Sequence, residues 1–165
     1  MKMRGFLGLG LMVLTAALAQ APGGAPPPRF SVTTVALADY GVDLPSLDDE
    51  GRILDNVHLG ANPGWLHLGY RRYLRPIERG GRTEMFWGVG ALVPFDQPGL
   101  LLRYNYLSVG LERFLTPQIY AGTQIHFSPG VLYHVLYGPA DPSGSTDMSF
   151  LLIFVPTFYV GFALF

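Results

Sequence analysis

His126 and Ser128 stand two residues apart in an alternating stretch, so in an extended strand both side chains emerge on one face. A histidine beside a serine is the pairing that general-base activation of a hydroxyl nucleophile requires. The surroundings favour ordinary lumen or rim residues instead. Pro129-Gly130 follows at once, no Glu lies beyond Glu112, and only Asp141 or Asp147, both in a predicted loop, remain downstream to orient the imidazole. The acidic group Asp39, Asp43, Asp48, Asp49, Glu50 and Asp55 offers carboxylate oxygens of the kind calcium takes, but it has no ordered ligand spacing and is expected to be a solvated loop. Arg71, Arg72, Arg75, Arg79 and Arg82 form a denser feature. Their guanidinium forks match phosphate oxygens at a lipid surface, and the plainer reading is a charged turn that keeps a strand end in water. His58, His67, His126 and His134 fall on separate predicted elements and define no metal site. Gly88-x-Gly90 lacks the third glycine and following helix of a nucleotide loop. No catalysis, no cofactor and no metal are expected.

The elements carrying these residues alternate with period two, not with helical periodicity. From Ile119 to Ser128 the odd positions Ile119, Ala121, Thr123, Ile125 and Phe127 oppose Tyr120, Gly122, Gln124, His126 and Ser128. Met85, Trp87, Val89, Ala91 and Val93 alternate with Glu84, Phe86, Gly88, Gly90 and Leu92, and Leu66 to Leu74 repeats the pattern. Between Leu100 and Phe114 the apolar side changes phase, which predicts a bulge or twist near Tyr106. Ser31 to Tyr40 is a weaker first strand. Met148 to Phe165 is free of charge, with an apolar even face interrupted only by Pro156. Breakers separate the runs at Asp48-Asp49-Glu50-Gly51, Asn62-Pro63-Gly64, Glu78 to Gly81, Gln97-Pro98-Gly99, Thr116-Pro117-Gln118 and Pro139 to Thr146.

Composition agrees with an all-β chain. Charged residues make up only 14% of the sequence, against roughly 25% in an ordinary soluble domain. Eleven Phe, nine Tyr and twenty-one Gly suit pleated surfaces and their turns. A formal charge of −1 gives nucleic acid no purchase, and the absence of cysteine excludes disulfides and thiolate chemistry. Lys2 and Arg4, the apolar run Gly5–Ala16 and the small residues of Ala17-Leu18-Ala19 form a Sec-type signal with cleavage before Gln20. Residues 1–19 are thus expected to be removed, 20–29 to form a Pro/Gly-rich spacer, and 30–165 to form one β domain. An uncleaved anchor is the rival, although the apolar run is short for a span of roughly 20 residues.

The stretches Leu68 to Pro76, Phe86 to Leu92 and Glu112 to Gly122 resemble the hairpins of small bacterial outer-membrane β-barrel proteins. Phe165 at the terminus, with Tyr159 on the same face, is similar to the C-terminal signal by which such barrels are recognised for insertion; Gly161 and Ala163 depart from its bulkier residues. The resemblance implies an outer-membrane location, outer-membrane lipids and the barrel-insertion machinery as partners, and a structural or porin-like role. It carries over no catalytic residue. His126-x-Ser128 also resembles the spacing in outer-membrane lipid A deacylases, which implies an acyl-hydrolase alternative.

The fold expected is therefore an antiparallel up-and-down β-barrel of eight strands, with breaks at Asn62-Pro63-Gly64 and at Ser128-Pro129-Gly130. Six long strands are the alternative, but fewer than about eight do not close around packed side chains. Arg103, Asn105, Gln124, Glu84 and Glu112, or some subset, would fill a polar interior, with Gly88, Gly90, Gly110 and Gly122 making room. Two rivals remain: a soluble periplasmic lipid- or ligand-binding barrel, and a C-terminal transmembrane helix, against which Pro156 argues.

Overall fold

The computed structural model describes residues 29–34, 39–78, 81–95, 104–138 and 153–163. The signal, most of the spacer, Arg79, Arg103 and Phe165 lie outside the described residues. Eight antiparallel strands run in chain order and close, first to last, into a barrel. They are β1 (Arg29–Thr34), β2 (Asp39–Leu47), β3 (Ile53–Ala61), β4 (Trp65–Ile77), β5 (Glu84–Pro94), β6 (Asn105–Phe114), β7 (Ile119–Phe127) and β8 (Phe154–Ala163). Every strand pairs with its sequence neighbours, and β1 completes the ring against β8 from Arg29↔Ala163 to Thr34↔Phe158. Closure leaves no unpaired edge for another chain to extend.

Side chains supply the missing hydrogen bonds at the turns. The Asp48 carboxylate accepts from the backbone N–H of Glu50 and of Arg52, and Gly51 takes a left-handed φ of 76°. Asn62 Oδ1 accepts from the N–H of Gly64 and Trp65, and Thr116 Oγ1 accepts from those of Gln118 and Ile119. Each is a short polar residue folding back on its own turn, which is why these breakers end strands.

The strand count of eight holds, but two members differ from expectation. Ser31–Tyr40 is not one strand: β1 ends at Thr34 and β2 starts at Asp39. The break at Ser128 does end β7, yet the next element is a helix, α1 (Pro129–Tyr137), rather than a strand. Ser128 caps it, its hydroxyl accepting from the Val131 N–H, and Pro129 occupies the first turn, where a missing N–H costs nothing. The bulge expected near Tyr106 is also absent. Pairing of β6 is continuous with β5 from Asn105 and with β7 from Leu107, and the residues before Tyr104 on which the expected phase change rested lie outside the described residues. Register shifts occur instead in the β2–β3 and β3–β4 pairings, at Ser46/Leu47 and Ile53/Asp55.

The two faces of this ribbon are inverted relative to a water-soluble barrel. Outward positions carry Val57, Leu68, Trp87, Val109, Ile125 and Phe158, each left exposed. Inward positions carry Arg29, Asp39, Asp43, Arg71 and Glu112, each at most 4% exposed. Towards the end that holds the 48–52 and 115–118 turns, Ile53, Tyr73, Ile77, Phe86, Phe114, Tyr120 and Tyr159 pack into an apolar plug. Inward glycines make this filling possible. A Cβ on Gly161 would lie 2.0 Å from Tyr120 Cζ, and one on Gly122 2.3 Å from Tyr159. Gly110 and Gly90 similarly accommodate Phe86 and the Tyr106 hydroxyl, in keeping with the expected placing of small residues opposite long ones.

Candidate functional site in the barrel lumen

Two linked polar clusters occupy the lumen. Near the turn end, Arg29 donates from Nη1 to Glu112 Oε1 at 2.7 Å, and the Tyr159 hydroxyl donates to Glu112 Oε2 at 2.8 Å. The Arg29 guanidinium also lies 4.3 Å from the centre of the Tyr120 ring, while Arg71 sits 4.5 Å from that of Tyr159 and 3.7 Å from Glu112 Oε2. Charges this deeply buried persist only when paired and hydrogen-bonded. Asp43 joins the two clusters: Oδ2 accepts from the Tyr120 hydroxyl at 2.6 Å and Oδ1 meets His58 Nδ1 at 2.7 Å.

The second cluster lies further towards the other end. His58 Nε2 and His67 Nδ1 both face Asp39 Oδ2, at 3.1 and 2.6 Å. On its far side, His67 Nε2 meets the Tyr106 hydroxyl. Three strands supply the core of this group: Asp39 opens β2, and His58 on β3 and His67 on β4 follow the inward period of their strands. Glycines hollow the wall around them, since a Cβ on Gly41 would be 2.3 Å from His58 Cε1 and one on Gly60 2.2 Å from Asp39 Oδ2. One carboxylate and two imidazoles within 4.8 Å of one another make a donor set able to hold a metal ion.

Several residues singled out in the sequence sit elsewhere than expected. Asp39 and Asp43 are lumenal, not part of a solvated acidic loop, because the strand containing them starts earlier than the loop reading allowed. Asp48, Asp49 and Glu50 do form the turn, and outward Asp55 pairs with Arg72 at 3.5 Å. The arginine group is split by the strand period. Arg71 points into the lumen, whereas Arg72, Arg75 and Arg82 are exposed, so the five do not form one lipid-facing patch. Of the insertion-signal pair, Tyr159 is buried with its hydroxyl on Glu112, and Phe165 lies outside the described residues.

His126 and Ser128 share the inward face as the spacing implied. His126 Nε2 meets Thr157 Oγ1 at 3.1 Å, with its ring centre 4.3 Å from that of Tyr106. The Ser128 hydroxyl donates to the Asn105 carbonyl at 2.7 Å while capping α1. Capping gives Ser128 a measurable role. Ser128→Ala is expected to weaken α1 by about 1 kcal/mol, seen as faster amide exchange at Val131; unchanged exchange there would remove the capping role.

The His58–His67–Asp39 convergence had little signal in the sequence. Alternation put His67 opposite the apolar side of its strand, but no spacing linked β2, β3 and β4 at these residues. The chain matches no protein-family model, no curated protein and no solved structure. What the site can do therefore rests on its own geometry.

Proposed function

We propose that this chain is an outer-membrane β-barrel whose lumen is filled, with a structural role in the envelope rather than transport or catalysis. The observation that carries this reading is the inversion of polarity: buried ions inside, and aliphatic and aromatic side chains outside. Outward-facing charge among the described residues lies at the turns of one end and in the strand segments running from them, at Asp55, Arg72, Arg75 and Arg113, with Arg72 opposite Trp87. Above that level Val57, Leu68, Val89, Val109, Ile125 and Phe158 form an apolar surface. Such a belt, closed so that every backbone group is paired, is what a hydrocarbon environment requires of strands. A soluble ligand-binding barrel would carry the opposite arrangement, an apolar lumen within a hydrated exterior. Tyr120, Tyr159, Phe86 and Phe114 pack together, buried, at one end, which supports a filled lumen. At eight strands an interior is just wide enough for its own side chains. The porin-like alternative is thereby disfavoured relative to a structural one. Outer-membrane lipids and the insertion machinery are the partners this reading implies.

Trp87 provides the test, because its ring is outward on β5. A Trp65→Phe protein refolded into vesicles should lose most of its Trp87 fluorescence when acyl chains carry bromine. The same vesicles should retain an entrapped small dye. Unquenched Trp87 would sink the membrane assignment, and dye escape would sink the filled lumen.

A further inference from the structure

We infer that Asp39, His58 and His67 form a binding site for a divalent transition-metal ion of the Zn²⁺ class inside the barrel. The donors are right for such an ion: two imidazole nitrogens and a carboxylate, where magnesium or calcium would require oxygens throughout. The three side chains are buried and each offers one ligand atom within 4.8 Å of the others, and Asp39 Oδ2 faces both His58 Nε2 and His67 Nδ1.

The outer partners are those a metal site needs. His58 has a carboxylate at each ring nitrogen, Asp43 at Nδ1 and Asp39 at Nε2. A neutral imidazole has one N–H, so it can donate to only one of them. With a cation at Nε2, the Nδ1–H donates to Asp43, giving the carboxylate–histidine–metal arrangement that fixes ring orientation. His67 follows the same logic. Its Nδ1 is freed for the cation when Nε2–H donates to the Tyr106 hydroxyl, which can rotate to accept.

Two further observations point the same way. Asp39 Oδ2 faces both imidazoles, while Oδ1 of the same carboxylate is buried without any hydrogen-bond partner. Such an orphan is costly, and a bound ion supplies the missing counter-charge. Among the described residues Asp39 is paired with no guanidinium; its partners are the two imidazoles, so its charge is met by a protonated ring or by a bound cation. Protons hold the short contacts around Asp39 Oδ2 when no ion is bound. An entering cation replaces them; ligand atoms on one tetrahedral ion stand roughly 3.3 Å apart, so His67 Nδ1 draws back from its 2.6 Å contact with Asp39 Oδ2. Three protein ligands leave a further position for water.

The experiment uses tag-free, chelator-stripped protein folded in detergent, with Zn²⁺ or Co²⁺ offered both during and after folding. Stoichiometric uptake of one ion per chain, with visible Co²⁺ bands, is expected. His58→Gln and His67→Gln should each abolish it, His134→Gln should leave it unchanged, and Tyr106→Phe should weaken it by about 10–100-fold. Lack of uptake by the folded wild-type chain would overturn the inference, as would uptake that survives both His58→Gln and His67→Gln. Should those variants fail to fold, X-ray absorption of the loaded wild-type protein decides. Two imidazoles plus oxygen donors support the site, and any other ligand set removes it. The measurement does not depend on where the barrel resides, so it stands apart from the membrane assignment.

Discussion

Glu112→Ala is expected to destabilise the folded barrel by about 3–5 kcal/mol, the usual cost of removing one member of a buried ion pair. Glu112 is fully buried and holds three partners: Arg29 at 2.7 Å, the Tyr159 hydroxyl at 2.8 Å and Arg71 at 3.7 Å. Without it two guanidinium groups remain in the lumen near a single carboxylate, Asp43, which is 3.8 Å from Arg29. The loss is therefore not that of one hydrogen bond but of the counter-charge for two cations. Unfolding in urea, with the protein refolded in a fixed lipid or detergent, measures it. Burial energetics also predict a specific pattern in a double-mutant cycle. Arg29→Met combined with Glu112→Leu should cost less than the two single changes added together, because neither charge is left alone. A Glu112→Ala cost below about 1 kcal/mol would show that water reaches these groups and that the lumen is not sealed.

The second large effect concerns the outside. Val109 is 58% exposed at the centre of β6, between outward Trp87 on β5 and Ile125 on β7. Val109→Arg should cost about 2–4 kcal/mol for folding into a bilayer, since a cation would enter hydrocarbon near mid-depth. The same substitution at Leu115, exposed beyond the end of β6, should cost less than about 1 kcal/mol because the charge reaches the interface. In a protein surrounded by water both changes would be nearly neutral. Folding titrations into vesicles, compared at the two positions, therefore separate a membrane belt from a hydrated surface by the depth profile. Equal and small costs at Val109 and Leu115 would be decisive against the belt.

Much of the barrel is legible in the chain alone. Period-two alternation assigns the faces of β5, β7 and β8 correctly: Phe86, Tyr120 and Thr157 are inside, while Trp87, Ile125 and Phe158 are outside. The turn residues Asp48, Asn62 and Thr116 act through short side chains bonding to adjacent N–H groups, a local interaction that needs no tertiary context. α1 escapes the same reading although its start carries a local signature, Ser128 followed by Pro129. A Ser-Pro-Gly breaker suits a turn between strands equally well, and Val131–Tyr137 has too few residues to display a helical period against that alternative.

The errors at Asp39, Asp43 and Arg71 share one cause. Charge in a sequence is ordinarily evidence for solvent, and that rule fails where the polar face of a strand is the enclosed one. Arg71 and Arg72 illustrate it: adjacent in the chain, they emerge on opposite sides of the wall, one against Glu112 and the other against Asp55.

Sequence alone determined that alternate side chains would face opposite ways, that strands would end at turns such as Asp48, Asn62 and Thr116, and that neither thiols nor disulfides take part. Those are properties of neighbouring residues, set by backbone geometry and local hydrogen bonds. Closure determined the rest. Arg29 meets Glu112 across 83 residues and His67 meets Tyr106 across 39, contacts that exist only because register and strand tilt bring distant inward positions to one level. Whether a histidine is an isolated polar residue or one of three converging ligands is decided by that closure, since alternation specifies a face but not the residue that stands opposite it.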